Sequence, residues 1–225
     1  MTTRPRVVLA TRNAHKVGEL RQILAGAGLD LELVDLAAFP DVPDVVETGA
    51  TFAENALLKA RAVAEATGLP AVADDSGLCV DALNGMPGVL SARWAGGHGD
   101  DRANLNLVLA QLAQVPDERR GAQFVCSAAL ALPGGQARVV EGVLRGRLGR
   151  APRGAGGFGY DPVLVPDGED RTTAEMTAQE KNAISHRGRA FRALAPHLQT
   201  LLGGVGVPHD QSTQEKGTKT LRDCG

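Results

Sequence analysis

Val7-Val8-Leu9-Ala10-Thr11-Arg12-Asn13-Ala14-His15-Lys16-Val17-Gly18-Glu19-Leu20-Arg21-Gln22-Ile23-Leu24 is the stretch from which the fold can be read. Its four leading apolar residues, Val7 to Ala10, predict a short buried strand. The strand ends at Thr11-Arg12-Asn13. Helical spacing then takes over, placing Val17, Leu20, Ile23 and Leu24 on one face, with Gly26 and Gly28 as the stop.

The alternation continues downstream. Leu31 to Leu36 reads as a second strand, followed by a loop with Pro40 and Pro43 that ends at Glu47-Thr48-Gly49. Thr51-Phe52-Ala53-Glu54 is a capping-box pattern that starts a helix, and Gly68 is its natural stop after Thr67. Ala71 to Ala73 reads as a short strand that delivers Asp74-Asp75-Ser76-Gly77 at its end. Residues 101–113 predict an amphipathic helix. Residues 122–132 and 137–144 predict two strands around the hairpin signal Pro133-Gly134-Gly135. A last helical region covers Ala178 to Leu202, divided at Pro196.

Strands alternating with helices, then a hairpin, imply an α/β fold with a mixed sheet. Strand order is not legible. Residues 1–204 read as a single domain. Residues 205–225 are polar and aperiodic, and read as a flexible tail.

Composition narrows the function classes. A chain of 225 residues, 43% hydrophobic and 22% charged, suits a soluble globular protein with a real core. The net charge of −2 supplies no positive field for stable nucleic-acid binding. Cys79, Cys126 and Cys224 are widely spaced and form no zinc pattern, which fits a reduced, cytoplasmic setting. Met1 to Arg6 leads directly into the first strand, with no apolar stretch for a signal peptide or a membrane span.

Four constellations carry possible chemistry. Thr11 to Lys16 lies where a strand turns into a helix, and helix starts offer unpaired N–H groups and a favourable dipole to anions. The glycine spacing of a P-loop is missing. Alone, this turn is either a triphosphate site or an ordinary helix cap with a solvated lysine. Asp74-Asp75, with Glu47 as a further acid, suits magnesium shared with substrate phosphates, or else an exposed acidic turn.

Phe158-Gly159-Tyr160-Asp161 puts the sole tyrosine beside a phenylalanine in a chain only 3% aromatic. Such a loop stacks on a base or plugs a core edge. Lys181 and Ser185-His186-Arg187 either supply donors to a base carbonyl or form a solvated basic helix face. No serine–histidine–acid or cysteine–histidine set stands out, so metal-assisted attack by water suits this inventory better than a covalent nucleophile.

The ordered combination is more specific than its parts. Thr-x-Asn-x-x-Lys, Glu-Thr-Gly, Thr-Phe-x-Glu-Asn-Ala-x-x-Lys-Ala, Ala-Asp-Asp-Ser-Gly-Leu, Pro-Gly-x-x-Ser-Ala-Arg, Gly-Gly-Phe-Gly-Tyr-Asp-Pro and Lys-Asn-x-x-Ser-His-Arg follow one another over residues 7–202. The chain resembles the inosine triphosphate pyrophosphatase family, the noncanonical purine NTP (dITP/XTP) pyrophosphatases. Arg12 stands where glycine is frequent, at a variable position whose backbone makes the expected contact.

The resemblance implies an elongated mixed-sheet α/β fold with two lobes, an active-site cleft between them, and a homodimer. It implies hydrolysis of inosine, xanthosine and related deoxy triphosphates to monophosphate and pyrophosphate with Mg2+. Thr11, Arg12, Asn13, Ala14, His15 and Lys16 would cradle the triphosphate, with Lys59 in support. Glu47 and Asp75 would hold magnesium, with Asp74 close by. Asp75 would be the general base, and Ser76 would touch substrate. Phe158, Gly159, Tyr160 and Asp161 would grip base and sugar, while Lys181, His186 and Arg187 would read the purine edge. The rival enzyme reading is a pyrimidine nucleotide pyrophosphatase of the septum-inhibitor type; the rival class is a nucleotide-binding regulator without turnover.

Overall fold

The computed structural model describes residues 4–203; the expected tail at 205–225 lies outside the described residues. Six strands form one sheet in the order β2-β1-β3-β4-β5-β6. β1 (Arg6–Leu9) is parallel to β2 (Glu32–Asp35) and to β3 (Ala71–Val80). β4 (Gly121–Ala131), β5 (Ala137–Leu148) and β6 (Leu164–Pro166) follow β3 as antiparallel neighbours. The sheet is therefore mixed, as expected. Its parallel part needs crossovers, supplied by α1 (Ala14–Gly26) and α2 (Phe52–Thr67).

The continuous apolar run of β1 has a direct cause: both faces of the strand are covered. Val7 and Leu9 pack with Leu20 and Leu24 of α1 and with Phe191 and Leu194 of α5 (His186–Gly203). Val8 and Ala10 turn to the opposite face and pack on Ala56, Ala60 and Val63 of α2. A third cluster lies under α3 (Asp101–Gln111), where Leu105 and Val108 meet Leu78, Phe124 and Tyr160. The α2 capping box is complete, and Gly68 ends the helix at φ 65, a left-handed conformation favoured by glycine.

Three expectations change. β3 does not stop at Ala73; it runs to Val80, paired residue by residue with β4 from Ala71↔Ala131 to Val80↔Ala122. The ladder satisfies the backbone of the polar residues, so side-chain polarity does not end the strand. The C-terminal helical region breaks at Ser185, not at Pro196. Ser185 is extended at ψ 151 between α4 (Ala178–Ile184) and α5, and its Oγ accepts from Gly188 N, while α5 continues through Pro196. β5 extends to Leu148 and pairs with β6, whose three residues are too few to show a period.

Helix α5 approaches β5 closely at Gly142, where a Cβ would overlap the His186 carbonyl oxygen and the Ala190 nitrogen. Among the described residues, no helix is long and apolar enough to cross a membrane.

Candidate active site

The end of β1, the start of α1, the middle of β3 and the start of α5 converge on a cavity of about 690 Å³. Every predicted site residue except Ala14 lines it. Ala14 is the exposed first residue of α1.

The β1–α1 turn differs from an open anion nest. Asn13 caps α1, and its side chain accepts from His15 N at 3.0 Å and Lys16 N at 3.3 Å. Asparagine is a strong cap, so two of the amides expected to be unpaired are engaged. Arg12 reaches away to brace the neighbouring loop, donating to Asp44 Oδ1 and the Val42 carbonyl.

Because β3 continues, Asp74 and Asp75 point to opposite faces. Asp74 is buried with Cys126 and accepts from Arg187 Nε at 3.3 Å, from Ser76 Oγ at 3.2 Å and from Lys16 Nζ at 3.0 Å. Burial would raise its pKa, but Lys16, Arg187 and Lys59 outweigh burial and hold it well below the carboxylate range. Asp75 faces α2, where Asn55 Nδ2 donates to its Oδ2 at 3.0 Å and Lys59 Nζ lies 3.5 Å from Oδ1. Burial dominates at Asp75 and, with the charge of Glu47, raises its pKa despite Lys59.

Lys59 Nζ also donates to Glu47 Oε1 at 2.6 Å, so one ammonium joins the two carboxylates expected to hold magnesium. Burial opposes ionisation of Glu47, but Lys59, Lys16 and Arg93 lower its pKa overall. Among the described residues, no three acidic, histidine or cysteine side chains surround a metal position. Two carboxylates that share one ammonium as partner fit a hard cation that would take its remaining oxygens from phosphate and water. They do not make an all-protein cage. Asp74, expected near the metal, lies on the other face of β3.

The aromatic loop sits opposite. Phe158 stacks with His15 at a centroid distance of 5.6 Å and 20° between planes. Lys181 Nζ and the Arg187 guanidinium carbon lie 5.2 and 5.7 Å from its ring centroid, within cation–π range. Asp161, expected to contact substrate, is engaged at both carboxylate oxygens. Its Oδ2 accepts from Phe158 N and Lys181 Nζ, and its Oδ1 from Thr173 Oγ1. Tyr160 is buried in the third core cluster and donates its hydroxyl to the Ser91 carbonyl at 2.8 Å. These two residues shape the loop that carries Phe158.

Lys181, His186 and Arg187 are buried, not a solvated face. Arg187 donates Nε to Asp74, Nη2 to Ser76 Oγ and Nη1 to Glu19, leaving two of the five guanidinium N–H groups of an arginine. Lys181 donates to Glu19 at 3.0 Å and to Asp161 at 2.7 Å, leaving one donor. Burial, then the charges of Arg187 and Lys181, lower the His186 pKa well below its usual value.

Sequence reasoning missed three residues. Glu19 bridges Lys181 and Arg187, and its signal was the i, i+3 spacing from Lys16 on one helix face. Arg93, 3.7 Å from Glu47, lines the cavity, and Asn55 holds Asp75. Both lie within quoted motifs but drew no role.

Fold and cavity together define an α/β protein able to receive a polyanion joined to a flat ring. The Ham1 family model matches residues 7–197, and the chain belongs to that family. A dITP/XTP pyrophosphatase of Streptomyces coelicolor is 70% identical over 198 residues, covering 88% of this chain and 99% of its own. The crystal structure of a nucleoside-triphosphatase / dITP/XTP pyrophosphatase from Mycobacterium abscessus is 56% identical with TM-score 0.71, covering 85% of this chain and 99% of that one. A HAM1 protein from Coxiella burnetii is 43% identical with TM-score 0.79, over 87% and 99% of the two chains.

Proposed function

We propose that this chain hydrolyses deaminated purine nucleoside triphosphates, ITP and XTP and their deoxy forms, to the monophosphate and pyrophosphate. Its role is to clear these nucleotides from the cytoplasmic pool. The observation that carries this reading is the placement of Asp75 and the Lys181–Arg187 pair around one cavity beside Phe158. On this reading residues 1–204 form one catalytic domain. The elongated two-lobed shape and the homodimer belong to the same reading.

Asp75, whose pKa is raised mainly by burial, takes a proton from water. The water oxygen bonds to the α-phosphorus as the bond to the leaving pyrophosphate oxygen breaks. Lys16, Lys59 and Arg93 face the charge that moves onto pyrophosphate. Glu47 and Asp75 would hold magnesium, which when bound supplies charge neutralisation on the phosphate oxygens.

Base choice follows from donors. The N–H groups left on Lys181 and Arg187 match a 6-oxo group. Adenine would set its amino group against them, and an unpaired donor in a buried site is costly. Neutral His186 keeps one ring N–H.

The test is product analysis with magnesium on inosine, deoxyuridine and thymidine triphosphates. Pyrophosphate and inosine monophosphate from the first, with slow turnover of the other two, is expected. Preference for the pyrimidines would replace this reading with the septum-inhibitor type. Tight binding without turnover would make the chain a regulator.

A further inference from the structure

Asn55 is fully buried, one turn into α2, between the Glu47 loop and Asp75. Its Oδ1 accepts from Gly49 N at 2.7 Å, and its Nδ2 donates to Asp75 Oδ2 at 3.0 Å. The amide cannot be turned over. A flipped carboxamide would set N–H against the Gly49 N–H and a carbonyl against a carboxylate. Gly49 closes the other side, since a Cβ there would sit 2.7 Å from Asn55 Oδ1. Ser127, the cross-strand partner of Asp75, has a buried hydroxyl that makes no hydrogen bond. Asn55 is thus the buried neutral side-chain donor that engages Asp75.

We infer that Asn55 is a positioning residue: its carboxamide sets the orientation of the Asp75 carboxylate and ties it to the loop that carries Glu47. This rests on the reading of Asp75 as the base. A free carboxylate rotates about its terminal bond. With Asn55 on Oδ2, Oδ1 accepts from Ser76 N at 3.1 Å and lies 3.5 Å from Lys59 Nζ, so the carboxylate plane is held at both oxygens and its remaining lone pair is already aimed. The anchor at Gly49 keeps the Glu47 carboxylate, two residues earlier, at a fixed distance from Asp75. Pre-organisation of this kind affects the chemical step more than ground-state binding.

Two near-isosteric variants separate the halves of the contact. Asn55→Asp keeps an acceptor for the Gly49 N–H but exchanges the fixed donor to Asp75 for a carboxyl that opposes Asp75 when ionised. Asn55→Leu removes both. Each is measured for kcat and KM on inosine triphosphate beside wild type, and for hydrogen exchange at the Gly49 amide. Asn55→Asp should lower kcat by about 10- to 100-fold with KM nearly unchanged, and should keep Gly49 protected. Asn55→Leu should lower kcat similarly and lose the protection. Should Asn55→Leu fail to fold, Asn55→Asp decides alone. Folded Asn55→Asp with wild-type kcat overturns the inference, as does unchanged Gly49 exchange in folded Asn55→Leu. Wild-type protein that releases no pyrophosphate overturns the functional reading instead, and the exchange measurements still decide the anchor.

Discussion

Asp74 and Asp75 are neighbours in β3, yet their carboxylates lie on opposite faces of the sheet, one paired with Lys16 and Arg187, the other held by Asn55 and Lys59. Two residues that read as one acidic motif are two positions with different partners. Asp74 orders the cations of the cavity. Asp75 presents a carboxylate to it.

Mutation should separate them. Asp75→Asn should stay folded and lose about 10²-fold or more in kcat, the loss expected for a general base. Asp74→Asn should instead destabilise the protein by about 3 kcal/mol, because the buried Arg187 loses a charge partner. Urea unfolding together with kcat for inosine triphosphate checks both. A well-folded Asp75→Asn enzyme with wild-type turnover would move the base role to Glu47.

The contrast shows what the chain reveals on its own. The β1–α1 unit, the α2 capping box and the β4–β5 hairpin were legible because local periodicity and turn chemistry coincide with the tertiary fold. The continuation of β3 past Ala73 was not, because what carries it through Asp74 to Gly77 is a ladder with β4 more than forty residues away. Which residues line the cavity was legible from the motifs, whereas their partners were not. The engagement of Asp161 with Thr173 and Lys181, and of Glu19 with Lys181 and Arg187, spans separate elements and leaves no periodic trace.

His186 predicts an acid limit to stability. Buried beside Arg187 and Lys181, it stays neutral in the folded protein at pH values where an unfolded histidine, with pKa about 6.5, takes a proton. Its contribution is complete above that pH and is lost as the pH falls through about 6.5 and below, by at most about 1.4 kcal/mol per unit. Unfolding free energies at pH 7.5, 6.5 and 5.5 should fall less steeply for His186→Gln than for wild type. Identical slopes would place the acid sensitivity elsewhere.

Gly142 predicts a purely structural defect. Its Cβ-free surface is where α5 meets β5, and an alanine there must push the His186 carbonyl and the Ala190 nitrogen away. Gly142→Ala should cost about 1–3 kcal/mol in stability, as overpacking does, read as a fall in Tm. An unchanged Tm would mean that α5 shifts freely on the sheet.

The claim that the cavity reads a 6-oxo purine is tested most directly by kcat/KM for inosine triphosphate against ATP at saturating magnesium. The donors left on Lys181 and Arg187 predict a ratio of about 10² or more in favour of inosine triphosphate, the effect of roughly 3 kcal/mol from one buried donor mismatch. Equal efficiency on the two nucleotides would contradict it.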